Sequence, residues 1–230
     1  MKEINKKLAY LKLYGKGLLG YRKRKIHANP RIHHELNMIF VHIPKTAGSS
    51  ITNALKKLNK SNEREKSPKI GKHAKAFEIK YLLGCDIWQN YFSFAFIRNP
   101  WDLMVSSYNW WRQKAQTLPA HKRISDKILK MSFEDFISSK YGSYMINERY
   151  GNYFDWISED GKIIVDYIGK VEFIKEDWKK ICEINDLKQI SIPHINKSKR
   201  KDYKKYYNPK TRKIIYNRFR KSIKKFNYEF

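Results

Sequence analysis

A chain of 230 residues, 41% of them hydrophobic, is long enough for one substantial core, and no linker divides it. Its apolar runs are too short to span a bilayer, no secretion leader is visible, and the two cysteines, Cys85 and Cys182, give no disulfide framework. Membrane-spanning and disulfide-stapled classes are thereby excluded in favour of a reducing, cytoplasmic setting. The formal net charge of +27 predicts attraction to polyanions such as nucleic acid, anionic lipid or acidic polysaccharide, against the alternative of lysines spread over a solvated surface.

Residues 1–36 read as a basic arm, densest at Tyr21-Arg22-Lys23-Arg24-Lys25, which either touches an acidic surface or covers the domain formed by residues 37–230. Met38 to Ile43 is a continuous apolar run, the pattern of a strand buried on both faces, and Pro44, with no N–H to donate, ends it. Ile51, Ala54, Leu55 and Leu58 then recur at helical spacing, with Ser49 and Ser50 opening that helix. Between strand and helix, the loop Lys45-Thr46-Ala47-Gly48 presents N–H groups at the positive end of a helix dipole, and Gly48 has no side chain to hold a ligand away. Such a loop suits a phosphate or sulfate group. It is not the nucleotide-triphosphatase loop, because the lysine precedes the glycine and the first glycine is missing. A strand-turn-helix unit with a chance lysine is the plain alternative.

After a polar loop over residues 59–72, His73 to Gly84 reads as a helix with Ala74, Phe77 and Tyr81 on its inner face and Gly84 as its stop. His73 then stands at the helix start, where the macrodipole disfavours imidazolium and leaves a ring able to accept a proton. A polar cap is the other reading. His42, inside the apolar run, reads as a satisfied core histidine, and His27, His33, His34 and His121 carry no pattern. No metal-ligand spacing is visible, so no metal is expected.

Phe92 to Ile97 is a second buried strand. Asn99-Pro100 turns the chain into a helix over Trp101 to Trp111, with Pro100 near its start. Arg98 at the strand end and Ser106 two turns into the helix combine a guanidinium fork with a hydroxyl, a cradle for a second phosphate. From Asn109 to Trp156 aromatic side chains alternate with amides, suiting either core or a sugar cleft, and Ser132 with Asp135 marks a helix N-terminus. Ile163 to Ile174 reads as a strand region, and Lys175 to Leu187 as a helix with Trp178, Ile181 and Cys182 inward. Asn208-Pro209 caps a last helix whose buried stripe is Ile215, Phe219, Ile223 and Phe226.

Pro44-Lys45-Thr46-Ala47-Gly48-Ser49-Ser50 after an apolar strand, followed by Arg98-Asn99-Pro100-Trp101-Asp102 and Val105-Ser106-Ser107-Tyr108, resembles the carbohydrate sulfotransferases related to the chondroitin and heparan types. The likeness extends over residues 38–230 through Pro193 to Ser198 and the closing Phe226 to Phe230, and departs at Leu103, where that family often has arginine. It implies a three-layer α/β fold, P-loop-like in outline, with a central parallel sheet flanked by helices and a site at the carboxyl ends of the strands. It implies 3′-phosphoadenosine-5′-phosphosulfate (PAPS) as donor. The 5′-phosphosulfate would be held by Lys45, Thr46, Ala47, Gly48, Ser49 and Ser50, and the 3′-phosphate by Arg98 and Ser106. Asn196, Lys197, Ser198 and Lys199 would close over the nucleotide. His73 matches the histidine that serves there as general base, with Lys45 stabilising the leaving group. The implied acceptor is a carbohydrate hydroxyl, and the basic surface favours an acidic glycan over any specific nucleic acid, with peripheral membrane contact and oligomeric state left open. Two other classes remain: a phosphoryl-transferring kinase of related architecture, and a non-enzymatic polyanion binder.

Overall fold

A computed structural model of the chain describes residues 27–28, 32–59, 66–67, 73–113, 117–144, 152–192 and 201–230. Among these, four strands form the central sheet in the order β1 (Ile32–His33), β2 (Met38–Val41), β3 (Phe92–Ile97), β4 (Tyr167–Lys170). β2, β3 and β4 run parallel, and β1 is an antiparallel edge joined to β2 through Ile32 opposite Ile39. The helices that bear on the site are α1 (Gly48–Leu58), α2 (Ala76–Leu83), α3 (Pro100–Gln113), α4 (Lys122–Leu129), α5 (Ile174–Ile184) and α6 (Pro209–Arg218).

Side chains alternate across the sheet, and both faces are covered, which is why β2 and β3 are apolar at nearly every position. Met38, Phe40, Phe94 and Phe96 pack with Ile51, Ala54 and Leu55 of α1 and with Trp178, Ile181 and Cys182 of α5. Ile39, Val41, Ala95 and Ile97 face the larger core, built with Ala76 and Ile79 of α2, Leu103 to Val105 of α3 and Ile215 of α6. The molecule is thus a mixed α/β structure with helices on both faces of a mostly parallel sheet. Gly169 on β4 is required by packing: a Cβ there would stand 2.5 Å from the Phe96 ring. Trp178 anchors the smaller layer, almost fully buried, with its indole N–H donating to the Ile190 carbonyl at 3.0 Å. Trp178→Ala is expected to cost about 3–5 kcal/mol, read as a lower urea midpoint; a change below about 1 kcal/mol would mean that α5 is held by something else.

Three expectations change. The helix expected from His73 begins only at Ala76, behind the N-cap Lys75, whose N–H donates to Glu78 Oε2 at 2.8 Å. Its inward residues are therefore Ala76 and Ile79, while Phe77 is half-buried and Tyr81 is 41% exposed. Lys162–Ile163 does not continue into one strand but pairs back on Ser158–Glu159 across Asp160-Gly161, both in the left-handed region. The last helix stops at Arg218 and restarts at Arg220. Residues 34–37 link the two strands of the β1–β2 hairpin, and Ile32 is fully buried in the core.

Candidate active site

The carboxyl ends of β2 and β3 are neighbours because the strands are paired and parallel, and each leads directly into one of the two motifs. After β2, Lys45 and Ala47 take φ of 65° and 60°, and neither is glycine. Each such residue costs of order 1–3 kcal/mol, and strain of this kind collects at ligand sites. The alternation turns successive N–H groups to one side, the shape of an anion-holding nest. Thr46, fully buried, locks the turn by donating its hydroxyl to the Ile43 carbonyl at 2.8 Å. The Ala47 carbonyl accepts from Ser50 N–H at 2.9 Å and Ile51 N–H at 3.2 Å, which starts α1. Ser49 is exposed and Ser50 buried.

After β3, the Asn99 side-chain oxygen accepts the N–H groups of Trp101 and Asp102, at 3.0 and 3.3 Å, and so caps α3. Arg98 is held by Asp102, with Nε and Nη2 at 2.7 and 2.6 Å from one carboxylate oxygen, and Nη1 donates to the Lys45 carbonyl at 3.1 Å. The guanidinium therefore joins the two motifs. Asp102, Ser106 and Trp110 follow one another at four-residue spacing along the same face of α3, and the Lys45 ammonium reaches over Trp110, 5.2 Å from a ring centroid. Lys45, Arg98 and half-buried Ser106 are thus brought to one place. Leu103, the departure from the resembled pattern, is fully buried in the core, and Asp102 beside it pairs with Arg98.

His73 joins them from 31 residues away: its Nδ1 lies 3.1 Å from the His42 carbonyl. A carbonyl only accepts, so Nδ1 carries the proton and Nε2 holds the lone pair of the neutral ring. The macrodipole reading falls away, since His73 precedes the helix by three residues; the His42 carbonyl sets the tautomer instead. His42 is more than a core histidine. Its ring stacks on Phe40 at 5.3 Å, meets the His73 ring edge-on at 4.7 Å and lies over Gly48. From sequence, Trp110 stands only among the aromatics read as core or sugar cleft, His42 reads as core and Asp102 is given no role; the one visible signal for His42 is a histidine interrupting an apolar run just before Pro44-Lys45. Asn196, Lys197, Ser198 and Lys199 lie outside the described residues.

The C-terminal segment braces the second motif. Asn99 donates its backbone N–H to Glu172 at 2.6 Å and its amide to the Glu229 carbonyl at 2.7 Å. Tyr153 and Tyr228 are buried beside Glu172, and burial, then that carboxylate, raises both phenols above the ordinary range. A cavity of about 750 Å³ opens beyond Trp101, walled by Tyr207, Arg212, Tyr216 and Phe230, and among the described residues none of the expected site residues lines it. Among the described residues no group of His, Cys, Asp or Glu is disposed to hold a metal, and no helix is long and apolar enough to cross a membrane.

Fold and site together define an α/β protein that offers an anion nest and an arginine at adjacent strand ends. The sulfotransferase family model matches residues 29–229, and the chain belongs to that family, in its second type. A protein of Archaeoglobus fulgidus described as uncharacterized is similar, 30% identical over 118 residues that make up 51% of this chain and 82% of that protein. No solved structure matches.

Proposed function

We propose that this chain moves a sulfuryl group from PAPS to a hydroxyl of a carbohydrate, with an acidic glycan as the preferred acceptor. The observation that carries the reading is the Arg98 bridge, which fixes the second motif to the carbonyl of Lys45 in the first. Two anion-holding elements at a fixed separation suit a nucleotide phosphorylated at both ends of its ribose. Lys45 and the N–H groups of residues 46–50 would hold the 5′ side, while Arg98 and Ser106 would hold the 3′-phosphate. Three contacts of the guanidinium are committed within the protein, from a group with five N–H donors.

In the reaction the acceptor oxygen forms a bond to sulfur as the bond from sulfur to the bridging phosphate oxygen breaks. The hydroxyl proton passes to Nε2 of His73, and 3′-phosphoadenosine-5′-phosphate leaves. Lys45 neutralises charge that builds on the leaving oxygen. Asn196, Lys197, Ser198 and Lys199 would complete the nucleotide cover. The net charge of +27 supports a polyanionic acceptor.

Thermal unfolding with nucleotides tests the reading against its rivals. At 100 times its dissociation constant, the 3′,5′-bisphosphate should add about 2.7 kcal/mol of stability. In a chain of this size that is roughly 5–10 °C. ADP, with both phosphates on the 5′ side, should do little. Ser106→Ala should remove part of the preference, since a hydrogen bond to a charged group contributes about 1.5–3 kcal/mol. It is a cleaner probe than Arg98→Ala, which also cuts the bridge between the motifs. Equal shifts with ADP and the bisphosphate would point to a kinase or to a binder of bulk charge.

A further inference from the structure

The molecule carries a second cationic feature that the donor site does not use. Outward-facing Lys122, Arg123, Lys127 and Lys130, with Asp126 and Pro119, line a groove of about 510 Å³ along α4. The opposite face of α4 is buried through Ser125 and Ile128, so the charges are confined to the open side. The groove is fixed to the site helix at the middle and the C-terminal end of α4. The Ser125 hydroxyl donates to the Trp111 carbonyl at 2.6 Å, and Arg112 Nη1 donates to the Leu129 carbonyl at 2.7 Å.

An aromatic step connects groove to site. His121, one residue before the groove's first lysine, meets the Trp110 ring edge-on at 5.8 Å, and Trp110 in turn lies under the Lys45 ammonium. Charges in a row, then an aromatic face, then the lysine of the donor loop make a graded track. From this arrangement we infer that the α4 groove and Trp110 form the acceptor subsite, which takes an acidic glycan with its carboxylates along Lys122, Arg123, Lys127 and Lys130 and a sugar ring against Trp110. The inference rests on the sulfuryl-transfer reading for what happens at the end of the track, but binding along the track is separable from it. An acidic sugar polymer fits by charge complementarity: four cations and a single carboxylate line the groove, and Trp110 beside it offers a ring for a sugar to stack on.

The test uses the full chain and a fluorescent, unsulfated oligosaccharide of alternating uronate and hexosamine units, with binding measured by anisotropy and the bisphosphate melting shift measured on the same samples. Lys122→Glu/Lys127→Glu/Lys130→Glu should weaken oligosaccharide binding by about tenfold or more while the bisphosphate shift stays. The matched reversal of the exposed Lys221, Lys224 and Lys225, on the C-terminal helix, should change binding far less. Trp110→Ala should also weaken the oligosaccharide. A parent that ignores the bisphosphate but still needs the α4 lysines for the oligosaccharide would remove the donor reading and uphold the groove. Equal losses from both reversals overturn it in favour of bulk charge. A single-stranded oligouridylate of matched charge that binds more tightly than the oligosaccharide overturns the glycan as occupant.

Discussion

His73→Ala lowers the rate of transfer by about 10²–10⁴-fold while the bisphosphate melting shift stays close to that of the parent. The size follows from loss of a positioned base, and the selectivity follows from geometry. Among the contacts of His73 are the carbonyl and ring of His42, whereas the nucleotide is assigned to Lys45, Arg98 and Ser106. Because the His42 carbonyl accepts from Nδ1, the proton-accepting nitrogen is Nε2, and a His73→Gln variant, which keeps a donor but lacks a basic nitrogen, should be nearly as slow as the alanine. The checks are single-turnover transfer and the melting shift on the same preparations. A His73→Ala protein with almost full turnover would move the role to His42, whose ring is the next imidazole in reach. Glu78, the nearest carboxylate in sequence, is occupied in capping α2 through the Lys75 N–H.

How far the sequence reaches depends on whether a residue's role is set by its neighbours in the chain or by contacts across the fold. β2 and β3 were legible because parallel strands covered on both faces leave almost no polar position, and the observed strands fall within the expected runs. Asn208-Pro209 and Ser132 were legible because capping is a local affair; both side chains accept the backbone N–H three residues on. The phase of α2 was not, since Ala76 and Ile79 compete with Phe77 and Tyr81, and only packing against the sheet chooses between them. Asp160-Gly161 carried a hairpin signal that the apolar run after it obscured. The left-handed Lys45 and Ala47 could not be foreseen, for nothing local favours that conformation in either residue. The partnership of Arg98 with the Lys45 carbonyl spans 53 residues, and that of His73 with His42 spans 31, so both belong to the tertiary structure. Residue types at the strand ends pointed to the proposed anion site; the tautomer of His73 and the lock between the two motifs came only from the fold.

Gly48→Ala should abolish the bisphosphate melting shift and cut transfer about 10²-fold or more. Glycine to alanine in a helix normally stabilises, by about 0.8–1.0 kcal/mol in its interior. Here the sign reverses, because an added Cβ would stand 1.7 Å from Nε2 of His42 and 2.1 Å from its Cδ2, so the imidazole has to leave its place. That ring is wedged between Phe40 and His73, and displacing it pushes on the base at the same time as the new methyl group narrows the nest. A displacement near 1 Å at a reacting group costs about 10²-fold. The loss is local, since the core beneath is formed by Phe40, Ile51 and Phe94 and stays intact, so the melting temperature without ligand should fall while the transition stays cooperative. His42→Ala placed in the Gly48→Ala background makes room for the methyl group and should return the nucleotide shift, which separates steric exclusion from loss of folding. A Gly48→Ala protein that responds to the bisphosphate and turns over like the parent would show that the imidazole does not guard the loop, and the link from Gly48 through His42 to His73 would be broken.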